Sequence, residues 1–300
     1  MRPFDSRFSE QTRLVPIDEQ IGLDPLGGDN YRSRFNQGNV YDALFGGQVI
    51  GQALSAANRT VDDGRSVHSC HCYFLRAGRN DRPVDYHVDR VRDGRRFSSR
   101  HIDVTQDGKL LLTMDCSYRV PLPGFEHQAA PVQDLDPESA MSCEEFIASA
   151  DPDHRAFLTA FFAHYPIEMR IPSLDGFLRP GTEHRRHYWL RGRFPIASDD
   201  PRVHEAVFAY MSDFMFVGVP LSTHSIAFPG AHLSFASLDH AIWFHRPVRS
   251  DEWLLLETDS PSAHGGVNLA RGLVYDRAGR LVASLPQEGL HLVTGGQFPQ

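Results

Sequence analysis

The chain carries the same sequence pattern twice, and this repeat constrains its fold more than any other feature. Three pairs of segments match in the same order, at shifts of 170, 171 and 159 residues. The pairs are 74–76 (FLR) with 244–246 (FHR), 106–110 with 277–281, and 31–35 with 190–194. Matches that keep their order indicate one structural unit that is present twice.

Each copy combines one amphipathic helix with several strands. Apolar residues recur at helical spacing in 49–57 and in 207–215. The flanking segments resemble antiparallel strands joined by Gly-containing hairpins. A single helix buries its apolar stripe by lying across a curved antiparallel sheet, which is the hotdog arrangement. We predict an α+β double hotdog, with two repeats of a long helix wrapped by an antiparallel sheet and the sheets joined into one. The alternative is an unrelated α+β domain whose strands are similar by chance.

The predicted domain boundaries follow from the repeat. They place an N-terminal hotdog at residues 1–121, a linker at 122–163 and a C-terminal hotdog at 164–300. The linker is rich in Pro, Ala and acidic residues, and a short helix is expected near Glu144 to Phe162.

Composition narrows the class of protein. The 300 residues are 41% hydrophobic, which suits a packed core, and the net charge of -8 argues against a nucleic-acid binder. No apolar run approaches the roughly 20 residues of a membrane helix, so we expect no membrane association and a cytoplasmic location. The four cysteines lack the spacing of a zinc site and are expected to be reduced and buried: Cys70, Cys72, Cys116 and Cys143.

Six segments together resemble the acyl-CoA thioesterase II family of the TesB type. They are 45–54 (FGGQVIGQAL), 67–78 (VHSCHCYFLRAG), 92–98 (RDGRRFS), 124–128 (GFEHQ), 238–247 (LDHAIWFHRP) and 282–289 (VASLPQEG). The resemblance implies a double hotdog that hydrolyses fatty acyl-CoA without a metal or organic cofactor and assembles into a homodimer or higher homo-oligomer. Two departures stand out: Ser237 replaces the usual Thr, and residues 265–268 (GGVN) lack an arginine of the family, so a CoA contact there is not carried over.

Thioester hydrolysis needs an attacking water, a base for its proton and a donor for the oxyanion. The chain has no GxSxG nucleophile elbow, which argues against a serine hydrolase of the α/β type. Asp213 interrupts a strongly apolar helical segment, and a buried carboxylate must be hydrogen-bonded, paired or protonated. Capping of a local turn is the alternative role. The family resemblance implies that Asp213 is the base and that Ser237 and Gln287 orient the water, all in the C-terminal hotdog.

Strand alternation predicts that His240 points away from Ser237, so no Ser-Asp-His triad is expected in 237–240. The first copy is expected to lack an equivalent acid, which leaves one active site per chain. Six residues are candidates for substrate binding: Gly46, Gly47 and Gln48 before the first helix, and Arg76, His245 and Arg246 for the CoA phosphates. The alternatives are a tight helix entry and solvated strand ends. Two other functions stay open: a non-catalytic acyl-CoA or lipid-binding hotdog protein, and a hotdog enoyl-CoA hydratase.

Overall fold

The computed structural model describes residues 14–39, 43–132, 135–179, 181, 184–222, 224 and 233–293. Within them, the first half contains α1 (Ile17–Gln20), β1 (Leu23–Gly27), β2 (Asn30–Ser33), α2 (Gly46–Asn58), β3 (Ser66–Phe74), β4 (Asp85–Asp93), β5 (Phe97–Gln106) and β6 (Lys109–Arg119). The second half contains β7 (Met141–Ser142), α3 (Cys143–Ala148), α4 (Pro152–His164), β8 (Ile167–Ile171), β9 (Arg185–Gly192), α5 (Pro201–Ser212), a 3-10 helix (Phe216–Leu221), β10 (Leu233–Ser237), β11 (Asp239–Phe244), β12 (Leu254–His264), β13 (Val267–Asp276) and β14 (Leu281–Val293).

The described strands form one antiparallel sheet in which the two halves mirror each other. The strand order is β1-β2-β4-β5-β6-β3-β11-β14-β13-β12-β9-β8-β7, with β10 beside β14. The halves meet where β3 pairs with β11. Phe74 pairs with Leu112, and the residues 170 and 171 positions later, Phe244 and Ala283, pair in the same way. The shifts found in the sequence are therefore structural equivalences, and the predicted double hotdog with one joined sheet is confirmed.

The long helices α2 and α5 pack antiparallel in the core that the sheet encloses. A Cβ at Gly47 would lie 2.2 Å from the carbonyl oxygen of Tyr210, and one at Gly51 would lie 2.9 Å from that of Ala206. Any larger residue at these two positions would push the helices apart. The close contact brings the N-terminus of α2 against the C-terminus of α5.

The end of α5 differs from the sequence prediction, which placed Asp213 in the middle of a helix. The helix ends at Ser212, and Asp213 is its C-cap. Met215 then takes a left-handed conformation, with φ of 64°, so the α-helical hydrogen-bond pattern cannot continue through it. Phe214 and Met215 stay buried because the following 3-10 helix also lies in the core. The apolar pattern therefore continues beyond the end of α5 and does not mark where the helix ends.

The segment predicted as a linker contains two helices, α3 and α4, where one helix was expected from Glu144 to Phe162. Asp151 caps α4 by accepting a hydrogen bond from the N–H of His154 at 3.0 Å, and Pro152 follows. Proline has no N–H to extend the preceding helix, so the chain must break there. β7 pairs with β8, which attaches this segment to the second half. The boundaries at residues 121 and 163 stay a prediction.

Candidate active site

The structure brings Asp213, Ser237 and Gln287 together. Asp213 caps α5, Ser237 ends β10 and Gln287 lies on β14. Ser237 pairs with Gly289, so Gln287, two residues away on β14, shares its face of the sheet. The Ser237 hydroxyl donates to Oδ1 of Asp213 at 3.3 Å, and Nε2 of Gln287 donates to Ser237 Oγ at 2.8 Å. Residues far apart in sequence thus form one chain of hydrogen bonds.

The N-terminus of α2 completes the surroundings of the carboxylate. The backbone N–H of Gly47 donates to Asp213. A Cβ at Gly46 would lie 2.8 Å from Oδ2 of Asp213 and 3.1 Å from the ring of Phe74. The absence of a side chain at Gly46 therefore lets the first turn of α2 approach the carboxylate closely. The positive end of the helix dipole stabilises negative charge at the same place.

Two opposing effects set the pKa of Asp213. Burial raises the pKa of this carboxyl from its ordinary value to about 6. Hydrogen bonds from Ser237, Gly47 and Gln287 act in the opposite direction because they stabilise the charged form. The carboxylate is therefore mostly ionised at neutral pH, yet it is much more basic than an exposed aspartate. These are the properties of a general base.

His240 belongs to the same network, although strand alternation predicts that it lies on the opposite face. Its Nδ1 lies 2.6 Å from Oε1 of Gln287, and its Nε2 lies 2.9 Å from Oγ of Ser212. The ring is 1% exposed, and burial lowers the pKa of His240 to about 4, so the imidazole is neutral. The expectation that His240 diverges from Ser237 was wrong.

A β-bulge explains the error. Ser237 pairs with Gly289 and Trp243 with Ser284, so six steps along β10 and β11 span five steps along β14. One extra residue reverses the alternation, and His240 faces the same side as Ser237. The bulge has no signature in the sequence itself, because it depends on how two strands pair.

The remaining predicted site residues lie in different places. Gln48 is fully buried, and its amide binds backbone groups of Gln20, Phe35 and Gln37. It therefore fixes the segment of chain that leads into α2. Gly46 and Gly47 contact Asp213, as described above.

The three basic candidates divide between the two ends of the central strands. Arg76 is at the end near Asp213, since the N–H of Phe74 donates to the carbonyl of Leu238 at 2.9 Å. His245 and Arg246 follow the far end of β11, roughly 25 Å from Ser237 at about 3.3 Å per residue. Arg76 and Arg246 each donate to a carbonyl of the adjacent hairpin at 2.8 Å.

The first half has different residues at the equivalent positions. The counterparts of Ser237, His240 and Gln287, at the shifts of 170 and 171, are Val67, Cys70 and Cys116. The C-cap of α2 is Arg59 where α5 has Asp213. Glu205 does reach Val67 and accepts a hydrogen bond from its N–H, but burial raises the pKa of Glu205 to about 8. A carboxyl that keeps its proton at neutral pH is a poor base.

Neither a metal site nor a membrane span is found in the described part of the chain. No group of three or more His, Cys, Asp or Glu side chains there could hold a metal ion. No helix among the same residues is long and apolar enough to cross a membrane.

Comparisons with known proteins agree with the architecture. A family model described as the acyl-CoA thioesterase N-terminal domain matches residues 36–118, and one described as the C-terminal domain matches residues 139–291. The chain is 36% identical to acyl-coenzyme A thioesterase 8 of Mus musculus, over 94% of this chain and 91% of that protein. It is 34% identical to acyl-CoA thioesterase 2 of Haemophilus influenzae, over 93% of this chain and 94% of that protein. The crystal structure of acyl-CoA thioesterase II TesB2 from Mycobacterium marinum superposes with a TM-score of 0.75 at 34% identity, covering 94% of this chain and 99% of that one.

Proposed function

The chain belongs to the acyl-CoA thioesterase family and is a thioester hydrolase, and from this premise we propose that it hydrolyses fatty acyl-CoA with a water activated by Asp213. The observation that carries the proposal is the buried carboxylate of Asp213, whose pKa is raised. It lies between the N-terminus of α2 and two side chains that can both donate and accept hydrogen bonds, Ser237 and Gln287. A hydroxyl and an amide can each donate and accept, which suits the orientation of a water molecule.

In the proposed reaction, the water adds to the carbonyl carbon of the thioester as its proton passes to Asp213. The carbonyl oxygen becomes an oxyanion, and the N–H of Gly46 in the first turn of α2 is suited to stabilise it, because the N–H of Gly47 already donates to Asp213. When the oxyanion collapses, the C–S bond breaks and Asp213 returns the proton to the leaving thiolate. The products are the free acid and CoA, and no cofactor is consumed.

The substrate contacts proposed here follow the placement of the residues. Arg76 is at the Asp213 end of the sheet and is assigned to the phosphates of CoA. His245 and Arg246 follow the far end of β11, and their contact with CoA stays a prediction. Gln48 holds the segment that leads into α2. The homodimeric state and the cytoplasmic location stay predictions.

A thiol-release assay with palmitoyl-CoA tests the function. We expect wild-type protein to release CoA and Asp213→Asn to release almost none while binding acyl-CoA normally. A non-catalytic acyl-CoA carrier would bind palmitoyl-CoA but release no thiol. An enoyl-CoA hydratase would consume the double bond of a 2-enoyl-CoA and leave the thioester intact, so either pattern from wild-type protein would contradict the proposal.

A further inference from the structure

We propose that His240 is a positioning residue that fixes the orientation of the Gln287 amide, and through it directs the Ser237 hydroxyl onto Asp213. The inference rests on the proposed role of Gln287 in the reaction. His240 itself need not touch the substrate, because its ring lies behind Gln287, between that side chain and Ser212.

The hydrogen bonds determine which nitrogen of His240 carries the proton. Nε2 of Gln287 donates to Ser237, so Oε1 of the same amide faces His240. An amide oxygen only accepts hydrogen bonds, and therefore Nδ1 of His240 must be the donor. A neutral imidazole then has a bare Nε2, so the hydroxyl of Ser212 donates to Nε2 at 2.9 Å in preference to the carbonyl oxygen of Ala209, which lies at the same distance from Oγ.

The network closes on itself because Ser212 directly precedes Asp213. It runs from Ser212 to His240, to Gln287, to Ser237 and back to Asp213. All its members except the half-buried Ser237 are nearly inaccessible to water, so none can exchange its partner for solvent without cost.

We infer that His240 prevents the amide group of Gln287 from flipping. If the Gln287 amide flipped, its oxygen would face Ser237 and take the hydroxyl hydrogen away from Asp213. The charge of the carboxylate opposes that flip, since hydrogen bonds to an ionised acceptor are the stronger ones. A hydrogen on Nδ1 of His240 opposes it further, because the flipped amide would place its NH2 group against another donor.

Two substitutions at His240 separate the donor from the bulk of the ring. In His240→Asn, the side-chain amide nitrogen overlies Nδ1 and can still donate to Gln287. In His240→Leu, the volume is similar but no donor remains. We expect kcat of His240→Leu to fall roughly tenfold, the value of one hydrogen bond, and kcat of His240→Asn to stay within about threefold of wild type. KM should stay unchanged in both.

His204 provides the matched control. It is also 1% exposed, its Nε2 bonds the carbonyl oxygen of Ser198 at 3.0 Å, and it lies nine residues before Asp213 on α5, about 13 Å away at 1.5 Å per residue. His204→Leu should lower the melting temperature as His240→Leu does but leave kcat at the wild-type value.

A double-mutant cycle tests whether His240 acts through Gln287. We expect Gln287→Ala to lower kcat and the addition of His240→Leu to lower it no further, because the residue that His240 positions is already gone. A second tenfold loss in the double variant would mean an independent, structural role and would overturn the inference. Wild-type kcat in His240→Leu, with a reduced kcat in Gln287→Ala, would overturn this inference alone. Wild-type kcat in Gln287→Ala would overturn the proposed role of Gln287 as well.

A spectroscopic measurement on the unmodified protein gives an independent readout. With ¹⁵N-labelled histidine, the His240 signals are identified by their loss in His240→Asn. We expect the chemical shifts of a protonated Nδ1 and a bare Nε2, which is the minor tautomer of histidine in water. The shifts of the Nε2–H tautomer would overturn the inference even if the leucine variant failed to fold.

Discussion

Replacing Asp213 by asparagine separates the catalytic role of this side chain from its structural one. The amide has the shape of the carboxylate but cannot take a proton from water, and loss of a general base costs on the order of 100- to 10,000-fold in rate. We therefore expect Asp213→Asn to keep the fold, to bind acyl-CoA and to lose nearly all thiol release. Wild-type turnover in this variant would refute the assignment of Asp213 as the base.

The raised pKa of Asp213 also predicts how activity depends on pH. Only the ionised form of Asp213 accepts a proton, so activity should be lost as pH falls through the pKa of about 6. Ionisation of Asp213 in the free protein should be about 90% at pH 7 and about 10% at pH 5, so kcat/KM should fall roughly tenfold between these values. A kcat/KM that is flat from pH 5 to pH 8 in the wild-type protein would contradict this.

The raised pKa of Asp213 also affects stability, which should decrease as pH rises, whereas activity should increase. The pKa rises from 3.8 in the unfolded chain to about 6 in the fold, so the folded state favours the protonated form. The free energy of unfolding should therefore decrease by about 3 kcal/mol as pH rises from below 4 to above 6. Asparagine removes that cost at neutral pH, although its NH2 group must face one of the donors that the carboxylate accepted. We expect Asp213→Asn to be at least as stable as wild type at pH 8 by thermal unfolding, and a large loss of stability would show that the charge itself holds the site together.

Other predictions concern the surroundings of the site and the assembly. Ser237→Ala should lower kcat by roughly tenfold, less than Asp213→Asn, whereas Ser237→Thr should retain most of it; equal losses in the alanine and threonine variants would refute a role for the hydroxyl. Gly46→Ala should reduce kcat more than stability because its methyl group would lie 2.8 Å from Oδ2 of Asp213. Gly47→Ala should instead destabilise the fold by about 1–3 kcal/mol, since its methyl group would lie 2.2 Å from the backbone of Tyr210, and thermal unfolding distinguishes the two. Light scattering at micromolar concentration should give at least twice the 33.8 kDa of one chain, and a monomer mass would contradict the predicted dimer.

The features that the sequence predicted best are those with a local or repeated signal. Helix α2 was visible from its apolar spacing, and both hairpins were marked by residues that take positive φ, such as Gly108 and Gly279. The shifts of 170 and 171 were also informative, because they reappear as equivalent pairs across the sheet. The convergence of Asp213, Ser237 and Gln287 came from the family resemblance; no local pattern contains it.

The features that were missed depend on tertiary structure. The apolar pattern runs through the end of α5, since the chain stays in the core after Met215 reverses its direction. The bulge between Ser237 and Trp243 is a property of two paired strands, so alternation along one strand gave the wrong face for His240. Its place in the hydrogen-bond network could not be found without that register.

The close contact of α2 with α5 has a consequence for when activity first appears during synthesis. Asp213 needs the N–H of Gly47 from the first half and the amide of Gln287 from β14, 240 residues further along the chain. A ribosome-bound fragment that ends before β14 therefore contains helix α2 but lacks Gln287, so the proposed site is incomplete in it. The proposed site thus predicts that hydrolysis begins only when both halves have been made and have docked.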